Sequence, residues 1–168
     1  NDKFITEANI TLEFFNSEKK SFTIETDSLE KVLKNSDFIT LHIPKIGDEA
    51  VISAEEIGMM KTVAGIINTA RGGVIDETAR MFALDKEKIA YAGLDVFEHE
   101  PPDENHPLIS AWRAREDWID GRFVATPHAA FYSPTSSQEL REKAIMTCID
   151  HLKTGELRNC VNLEFLKA

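Results

Sequence analysis

Cysteine is scarce in this sequence, and long hydrophobic runs are absent. The two cysteines, Cys148 and Cys160, have no CxxC spacing, so we expect free thiols in a reducing cytoplasm instead of a disulfide framework. No apolar stretch is long enough to cross a bilayer, and the N-terminal residues lack a signal-peptide pattern, so we expect no membrane partner. The five histidines are scattered without a ligand pair at helical spacing, which argues against a metal site.

Basic residues are also in deficit. The chain has 19 lysines and arginines against 29 aspartates and glutamates, and its formal net charge is -10 at pH 7. This charge argues against nucleic acid and against anionic membrane surfaces as partners. The rest of the composition suits a soluble enzyme domain. Hydrophobic residues make up 42% of the chain, and 168 residues are enough for one domain with a sizeable core.

Four short apolar runs each end abruptly in polar residues. They cover residues 38–41, 63–67, 89–94 and 123–125. Three of the polar ends carry Arg71, Asp95 and His128. Short buried strands with polar residues at their ends are typical of a parallel sheet with its chemistry at the carboxyl edge.

Helical segments alternate with these runs. Helices are predicted over residues 28–35, 53–60, 76–84 and 136–155, and a short surface helix over 108–118. Ser53 and Glu56 form a predicted capping box, as do Ser136 and Glu139. The alternation implies parallel strands joined by right-handed crossovers, so the predicted fold class is α/β.

The longest predicted helix has a regular apolar stripe. Its members recur every three or four residues and are Leu140, Ala144, Ile145, Cys148 and Leu152. This spacing predicts that one face of the helix packs on a core. Gly155 is a natural C-terminal stop for the helix.

The first 27 residues fit the alternation less well. Residues 10–14 and 22–24 alternate like half-buried strands, and residues 16–20 between them are suited to a hairpin turn. The alternative is that the two stretches are successive strands of the main sheet. Both interpretations stay open at this point.

Four motifs occur in order and with matching separations. They are L-H-I-P at 41–44, N-T-A-R-G-G at 68–73, G-L-D-V-F-E-H-E-P at 93–101 and T-P-H-A-A at 126–130. Together they resemble the D-isomer-specific 2-hydroxyacid dehydrogenases, a family that includes D-3-phosphoglycerate, glyoxylate and D-lactate dehydrogenases. Residues 112–118, 126–133 and 158–162 are most similar to the C-terminal-binding-protein branch and its bacterial relatives. Four motifs in register make chance a poor explanation.

One departure from the family pattern is large. The family has a G-x-G-x-x-G turn after the first strand of its dinucleotide-binding domain, but no glycine precedes Gly47 here. By the same resemblance, we expect the family's substrate domain to be absent from these 168 residues as well. The resemblance therefore implies a Rossmann-like parallel sheet with flanking helices that lacks its glycine-rich first unit. Residues 1–168 are then a single domain, the C-terminal part of a dinucleotide-binding domain.

The resemblance assigns three catalytic residues. The arginine that matches Arg71 binds the substrate carboxylate and carbonyl oxygen, a task suited to a bidentate fork. The histidine that matches His128 gives a proton to the keto oxygen, and the glutamate that matches Glu100 pairs with this histidine. His99 and His106 are expected to be solvated loop residues.

Cofactor contacts follow from the same resemblance. NAD is the expected cofactor, and NADP is not excluded, because no acidic residue aligns convincingly with the one that selects NAD. Asp95 matches the aspartate that receives the nicotinamide carboxamide. The other expected contacts are His42, Pro44, Thr69, Ala70 and Ala130. Phe131 either walls the substrate pocket or packs in the core, and His42 either lines the cofactor groove or is structural.

Two function classes remain. The first is an oxidoreductase that transfers a hydride between nicotinamide and a 2-keto or 2-hydroxy acid. The alternative is a dinucleotide-responsive, corepressor-like interaction module without catalysis. The presence of Arg71, Glu100 and His128 favours the first class. The resemblance also implies a homodimer and a chain that is inactive by itself.

Overall fold

The computed structural model describes residues 7–13, 17–158, 160 and 162–163. The chain divides into two compact units, residues 1–127 and residues 128–168. The elements are β1 (Glu7–Glu13), β2 (Lys19–Glu25), α1 (Leu29–Asn35), β3 (Phe38–Leu41), α2 (Ala54–Met59), β4 (Gly65–Asn68), α3 (Glu77–Asp85), β5 (Tyr91–Leu94), α4 (Pro107–Ala114), β6 (Phe123–Ala125) and α5 (Pro134–Thr154).

A four-stranded parallel sheet forms the centre of the first unit. Its order is β3-β4-β5-β6, and each strand pairs with the next strand along the chain. The four predicted apolar runs are therefore the four strands. Helices connect them, so the predicted α/β fold class with a Rossmann-like parallel sheet is confirmed.

One face of the sheet is buried and the other is open. The buried face carries Ile39, Ile66, Ala92 and Phe123 in register, and it joins a core with apolar residues of α1 to α4. The open face carries large apolar side chains that are 36–67% exposed, namely Phe38, Ile67, Tyr91 and Val124. The expectation of buried strands therefore holds for one face of the sheet. Successive right-handed crossovers that advance in one direction put all their helices on the same face of a sheet.

The N-terminal residues form a separate two-stranded sheet. Strands β1 and β2 pair antiparallel, with Asn9 opposite Thr23 and Glu13 opposite Lys19. The hairpin interpretation is therefore the correct one, and the alternative of successive strands in the main sheet is wrong. Residues 14–16 of the predicted strand and turn lie outside the described residues.

Local capping determines where three helices begin. The Ser28 side chain accepts a hydrogen bond from the Lys31 N–H at 3.3 Å before α1. Ser53 and Glu56 form the predicted capping box of α2. The Ala79 N–H donates to the Asp76 carboxylate at 2.9 Å before α3. These starts agree with the sequence because each needs only residues within one helical turn.

Helix α4 differs from its prediction in length and in burial. It ends at Ala114, because Arg115 adopts a left-handed conformation with φ 53°. Leu108, Ile109 and Ala111 are buried in the core, so the interpretation as a surface helix is wrong. The residues after Ala114 form turns instead of the predicted continuation, and Arg115 pairs with Asp120 at 3.1 Å.

Helix α5 belongs to the second unit and begins earlier than predicted. Its capping box joins Ser133 to Ser136, so Pro134 is the first helical residue, and the expected box of Ser136 with Glu139 is wrong. Gly155 ends the helix in a left-handed conformation, as predicted. None of its residues is buried, which contradicts the expectation that its apolar stripe packs on a core.

The described residues include both cysteines of the chain. Cys148 and Cys160 are free thiols. Among these residues, no helix is long and apolar enough to cross a membrane. In the same part of the chain, no group of three or more His, Cys, Asp or Glu side chains is arranged to hold a metal ion.

Candidate active site

The loop after β4 is shaped by the last residue of that strand. Asn68 is 1% exposed, its Nδ2 donates to the Arg71 carbonyl at 2.9 Å, and its Oδ1 accepts from the Ala70 N–H at 3.0 Å. One buried amide thus fixes both ends of the short turn. Arg71 is exposed at the tip, and its Nη1 donates to the Ala70 carbonyl at 2.7 Å. The guanidinium is therefore presented to solvent at the carboxyl edge of the sheet.

Gly72 brings this loop against the loop that follows β5. A Cβ atom at Gly72 would lie 1.8 Å from the Phe97 carbonyl oxygen and 2.6 Å from the Glu98 nitrogen. Only a residue without a side chain permits such an approach of two backbones. The loop that carries Arg71 and the loop that carries Glu100 are consequently in direct contact.

Asp95 directly follows β5 and carries a buried carboxylate. It is 3% exposed, and its Oδ1 accepts a hydrogen bond from Thr126 Oγ1 at 2.5 Å. Backbone hydrogen bonds also fix Asp95 and Thr126 themselves. The Asp95 N–H donates to the Asn68 carbonyl, and the Thr126 N–H donates to the Leu94 carbonyl. The carboxylate is thus fixed between the ends of three strands.

Glu100 lies in the loop between β5 and α4, and the loop is tied to its surroundings at several points. The Phe97 N–H donates to Glu100 Oε1 at 2.9 Å. The Glu98 N–H donates to Glu77 Oε1 at 2.7 Å, and His106 Nε2 lies 3.1 Å from Glu77 Oε2. His106 is therefore half-buried and partnered, and the expectation of a solvated loop histidine is wrong for it. His99 is exposed, as expected.

The second unit begins at His128. This residue is exposed and has a left-handed backbone with φ 51°. Its ring lies 6.4 Å from the Phe131 ring in an edge-on arrangement. Phe131 is 66% exposed, so the alternative in which it packs in the core is wrong. Ala130 lies between the two rings in sequence and is also exposed.

The remaining expected cofactor residues lie at the ends of β3 and β4. Thr69 and Ala70 are half-buried, whereas His42 and Pro44 are exposed. His42 Nε2 lies 3.0 Å from Thr40 Oγ1, a residue of the open face of the sheet. A groove of about 340 Å³ runs along this open face, and Thr69, Asp95 and Thr126 are among its lining residues.

Sequence reasoning missed several residues that organise these loops. Asn68 and Thr126 lie inside the motifs N-T-A-R-G-G and T-P-H-A-A, so a polar residue at the end of a strand or directly after it was the available signal. Glu77 directly follows the Asp76 helix cap and carries no pattern that distinguishes it from a solvated first-turn acid. Its partners, Glu98 and His106, are 21 and 29 residues away in sequence, so only the fold reveals them.

Comparisons with known proteins agree with this architecture. Residues 9–130 match the family model described as D-isomer specific 2-hydroxyacid dehydrogenase, NAD binding domain. A D-lactate dehydrogenase of Treponema pallidum is 37% identical over 132 residues, which are 75% of this chain and 40% of the relative. A glyoxylate reductase of Korarchaeum cryptofilum is 36% identical over 154 residues, 89% of this chain and 42% of the relative. The chain thus spans about two fifths of the length of these relatives.

Solved structures give the same result. A D-isomer specific 2-hydroxyacid dehydrogenase of Lactobacillus delbrueckii ssp. bulgaricus, solved in its NAD complexed form, superimposes with a TM-score of 0.65 at 32% identity. This match covers 82% of the present chain and 43% of that protein. Because the family model covers well over half of the chain, the chain belongs to the D-isomer specific 2-hydroxyacid dehydrogenases and carries part of their NAD binding domain.

Proposed function

We propose that the polypeptide carrying this chain is an NAD(P)-dependent 2-hydroxyacid dehydrogenase that interconverts a small 2-keto acid and its 2-hydroxy acid. The contact of Gly72 with Phe97 carries this proposal. It holds the loop of an exposed arginine against the loop of a carboxylate, beside the buried Asp95 at the carboxyl edge of a parallel sheet. Anion binding and acid/base chemistry need these two groups close to each other.

Arg71 binds the substrate. Its guanidinium presents several N–H donors in one plane, which match a carboxylate and an adjacent carbonyl oxygen better than an ammonium does. The Asn68 amide holds the backbone on both sides of the turn, so the position of the fork is set before substrate arrives. This preorganisation lowers the entropy lost when the acid binds.

His128 exchanges the proton with the substrate oxygen, and Glu100 pairs with His128. An imidazole titrates near neutral pH, which suits a group that must both give and accept a proton. A carboxylate partner fixes the ring and stabilises its protonated form. The Phe97 N–H donates to Glu100 Oε1 at 2.9 Å, which holds this carboxylate in the loop.

The nicotinamide half of the cofactor fits the residues of this chain. Nicotinamide supplies or accepts the hydride when it is bound. Asp95 is a buried acceptor able to receive the carboxamide N–H groups, and Thr126 fixes its orientation. Thr69, Ala70, His42, Pro44 and Ala130 complete the proposed contacts. The pyrophosphate half has no glycine-rich turn here, since Gly47 is the first glycine of the chain.

Because the chain has residues for the nicotinamide half of the cofactor but no glycine-rich turn for the pyrophosphate half, we expect the chain alone to bind the dinucleotide weakly. Without backbone donors for the pyrophosphate, most of the usual affinity for the dinucleotide is lost. We expect titration calorimetry of the 168-residue chain to give no micromolar binding of NAD or NADP. A micromolar dissociation constant would contradict the assignment of the missing turn as the main source of affinity.

The test of the reaction uses the longest natural polypeptide that contains this sequence. The oxidation of NADH and NADPH is followed with a panel of 2-keto acids. His128→Gln keeps the approximate size but is unable to donate a proton, so kcat should fall about 10²–10⁴-fold. His99→Gln, at an exposed histidine, serves as the control. Arg71→Lys should mainly raise KM.

Parental turnover in His128→Gln would remove the catalytic assignment and favour the interaction module.

We further propose that the protein is a cytoplasmic homodimer. Strand β3 is an edge strand of the described four-stranded sheet, and an edge strand is a place where a second chain is able to associate. Light scattering should then give a dimer or larger species, and a clean monomer at roughly tens of micromolar, a concentration that detects weak interfaces, would contradict this.

A further inference from the structure

Glu77 contacts both ends of the loop that carries Glu100. Its carboxylate is 14% exposed at the start of α3. One oxygen accepts the Glu98 N–H at 2.7 Å, and the other lies 3.1 Å from His106 Nε2. Glu98 and His106 flank Glu100 on its two sides in sequence. A single side chain from a neighbouring helix therefore closes the loop.

The contacts of Glu77 lead directly to the Glu100 carboxylate. Phe97 precedes Glu98, and its N–H donates to Glu100 Oε1 at 2.9 Å. The Phe97 ring packs edge-on against the His106 ring at 5.8 Å. Two consecutive N–H groups thus bind two different carboxylates, Glu100 and Glu77. These N–H groups belong to adjacent peptide units that meet at the Phe97 Cα, so a displacement of the chain at Phe97 would disturb both bonds.

A role as the counter-ion of a buried arginine explains these contacts less well. Arg80 lies in the same helix and is 1% exposed, but its Nη2 is 4.0 Å from the Glu77 carboxylate. Both Nε and Nη2 of Arg80 are buried, and neither has a hydrogen-bond partner among the residues that the structure describes. The oxygens of Glu77 are directed to the Glu98 amide and the His106 ring at much shorter distances. Glu77 therefore contributes more to holding the loop than to balancing the charge of the Arg80 guanidinium.

We propose that Glu77 is a positioning residue, which holds the Glu98 amide and His106 so that Glu100 is fixed in its functional orientation. The catalytic consequence rests on the function proposed above for Glu100. Outer carboxylates of this kind orient the groups that touch the substrate and are worth about one to two orders of magnitude where they have been measured around metal sites. Glu77 itself contacts no reacting atom in this scheme.

The first test measures amide hydrogen exchange in the chain by nuclear magnetic resonance. Glu77→Ala should accelerate exchange at the Glu98 N–H about tenfold or more, the effect of losing one hydrogen bond to a charged group. The Phe97 N–H should follow, whereas the Ile66 N–H in the sheet should not change. Glu77→Gln keeps an acceptor oxygen and should restore most of the protection. Glu104→Ala, at an exposed acid of the same loop, is the matched control.

A second set of variants, made in a chain that carries Arg80→Met, separates loss of the fold from loss of positioning. Glu77→Ala also removes the charge nearest to Arg80, so both changes at residue 77 are repeated with Arg80→Met, which leaves no buried cation to destabilise. Parental exchange at Glu98 and Phe97 in the Arg80→Met, Glu77→Ala chain would overturn the proposal, whatever the activity of the enzyme.

The second test is kinetic and uses the longest natural polypeptide. Glu77→Ala should lower kcat about tenfold and leave KM for the keto acid within about twofold, because Arg71 holds the substrate through another loop. Glu77→Gln should recover most of kcat. An active parent with unchanged kcat in Glu77→Ala overturns the positioning role. A parent that reduces no 2-keto acid overturns the proposed function instead, and the exchange data then decide the structural part.

Discussion

Side-chain caps begin helices α1, α2, α3 and α5, but helix α5 differs from helices α1 to α4 in packing. Each of the first four buries at least one apolar side chain, as Leu33 does in α1 and Leu84 in α3. Helix α5 has 21 residues and a capping motif at each end, and it buries none. Capping residues therefore determine where a helix lies in the chain, and an apolar stripe does not by itself determine what the helix packs on.

The largest expected stability difference compares a core residue with a stripe residue. Ile66 is fully buried in β4, whereas Leu140 is 67% exposed in α5. Ile66→Ala should lower the free energy of unfolding by about 2–5 kcal/mol, because it leaves a cavity. Leu140→Ala should change it by less than about 0.5 kcal/mol. Urea unfolding of both variants measures this, and equal losses would mean that the stripe is buried in solution.

The contact between the two functional loops is tested by two glycine substitutions. Gly72→Ala places a methyl group 1.8 Å from the Phe97 carbonyl oxygen, and it should destabilise the chain by about 3 kcal/mol or displace the loops. A Cβ atom at Gly58 in α2 would have no atom of the described residues within 4 Å beyond its chain neighbours and its own helix backbone, so Gly58→Ala should stabilise the chain by up to about 1 kcal/mol. Thermal unfolding compares them, and a tolerated Gly72→Ala would show that the two loops do not touch.

Arg80 in α3 differs from the other buried residues of helices α1 to α4, because it carries a charge. Burial lowers the pKa of its guanidinium to about 10, and the negative charges of Glu77 and Asp76 offset only part of this effect. Replacement by Met, which keeps an unbranched chain, should therefore stabilise the protein by about 1–2 kcal/mol at pH 7.

The pH dependence of this gain has a definite sign. The folded chain binds the Arg80 proton less tightly than the unfolded chain, so the destabilisation is complete below pH 10 and is lost as the pH rises above it. In urea unfolding, the advantage of Arg80→Met should consequently begin to shrink near pH 10 and continue to shrink as the pH rises towards the ordinary pKa of arginine. A constant difference across this range would show that the arginine is not buried in its charged form.

The sequence predicted the elements of the sheet and the loops of the site better than their surroundings. Apolar runs bounded by polar residues identified all four parallel strands, and the motif N-T-A-R-G-G identified the loop of Arg71. These features depend on residues close together in the chain. The approach of Gly72 to Phe97 and the contacts of Glu77 depend on residues more than 20 positions apart, so no local pattern reports them.

Burial was the other property that the sequence did not determine. Helix α4 is buried on one side because it packs against the core, and the sheet is open on one face because all crossovers lie on the other. Both outcomes follow from the topology of the whole unit. The apolar pattern of a strand or helix states only that a face is able to be buried.

The smallest expected effect distinguishes the two possible caps of helix α5. Ser133 accepts from the Ser136 N–H at 2.9 Å, whereas Glu139, the expected partner of Ser136, pairs with Lys143 at 2.6 Å. Ser133→Ala should therefore cost about 1 kcal/mol of helix stability, measured by circular dichroism and by amide exchange in the first turn. Ser137→Ala removes a hydroxyl one residue beyond the box and should be neutral or slightly stabilising, because alanine is the better helix former. If Ser133→Ala is equally neutral, the helix begins at Ser136 and the capping box predicted from the sequence is restored.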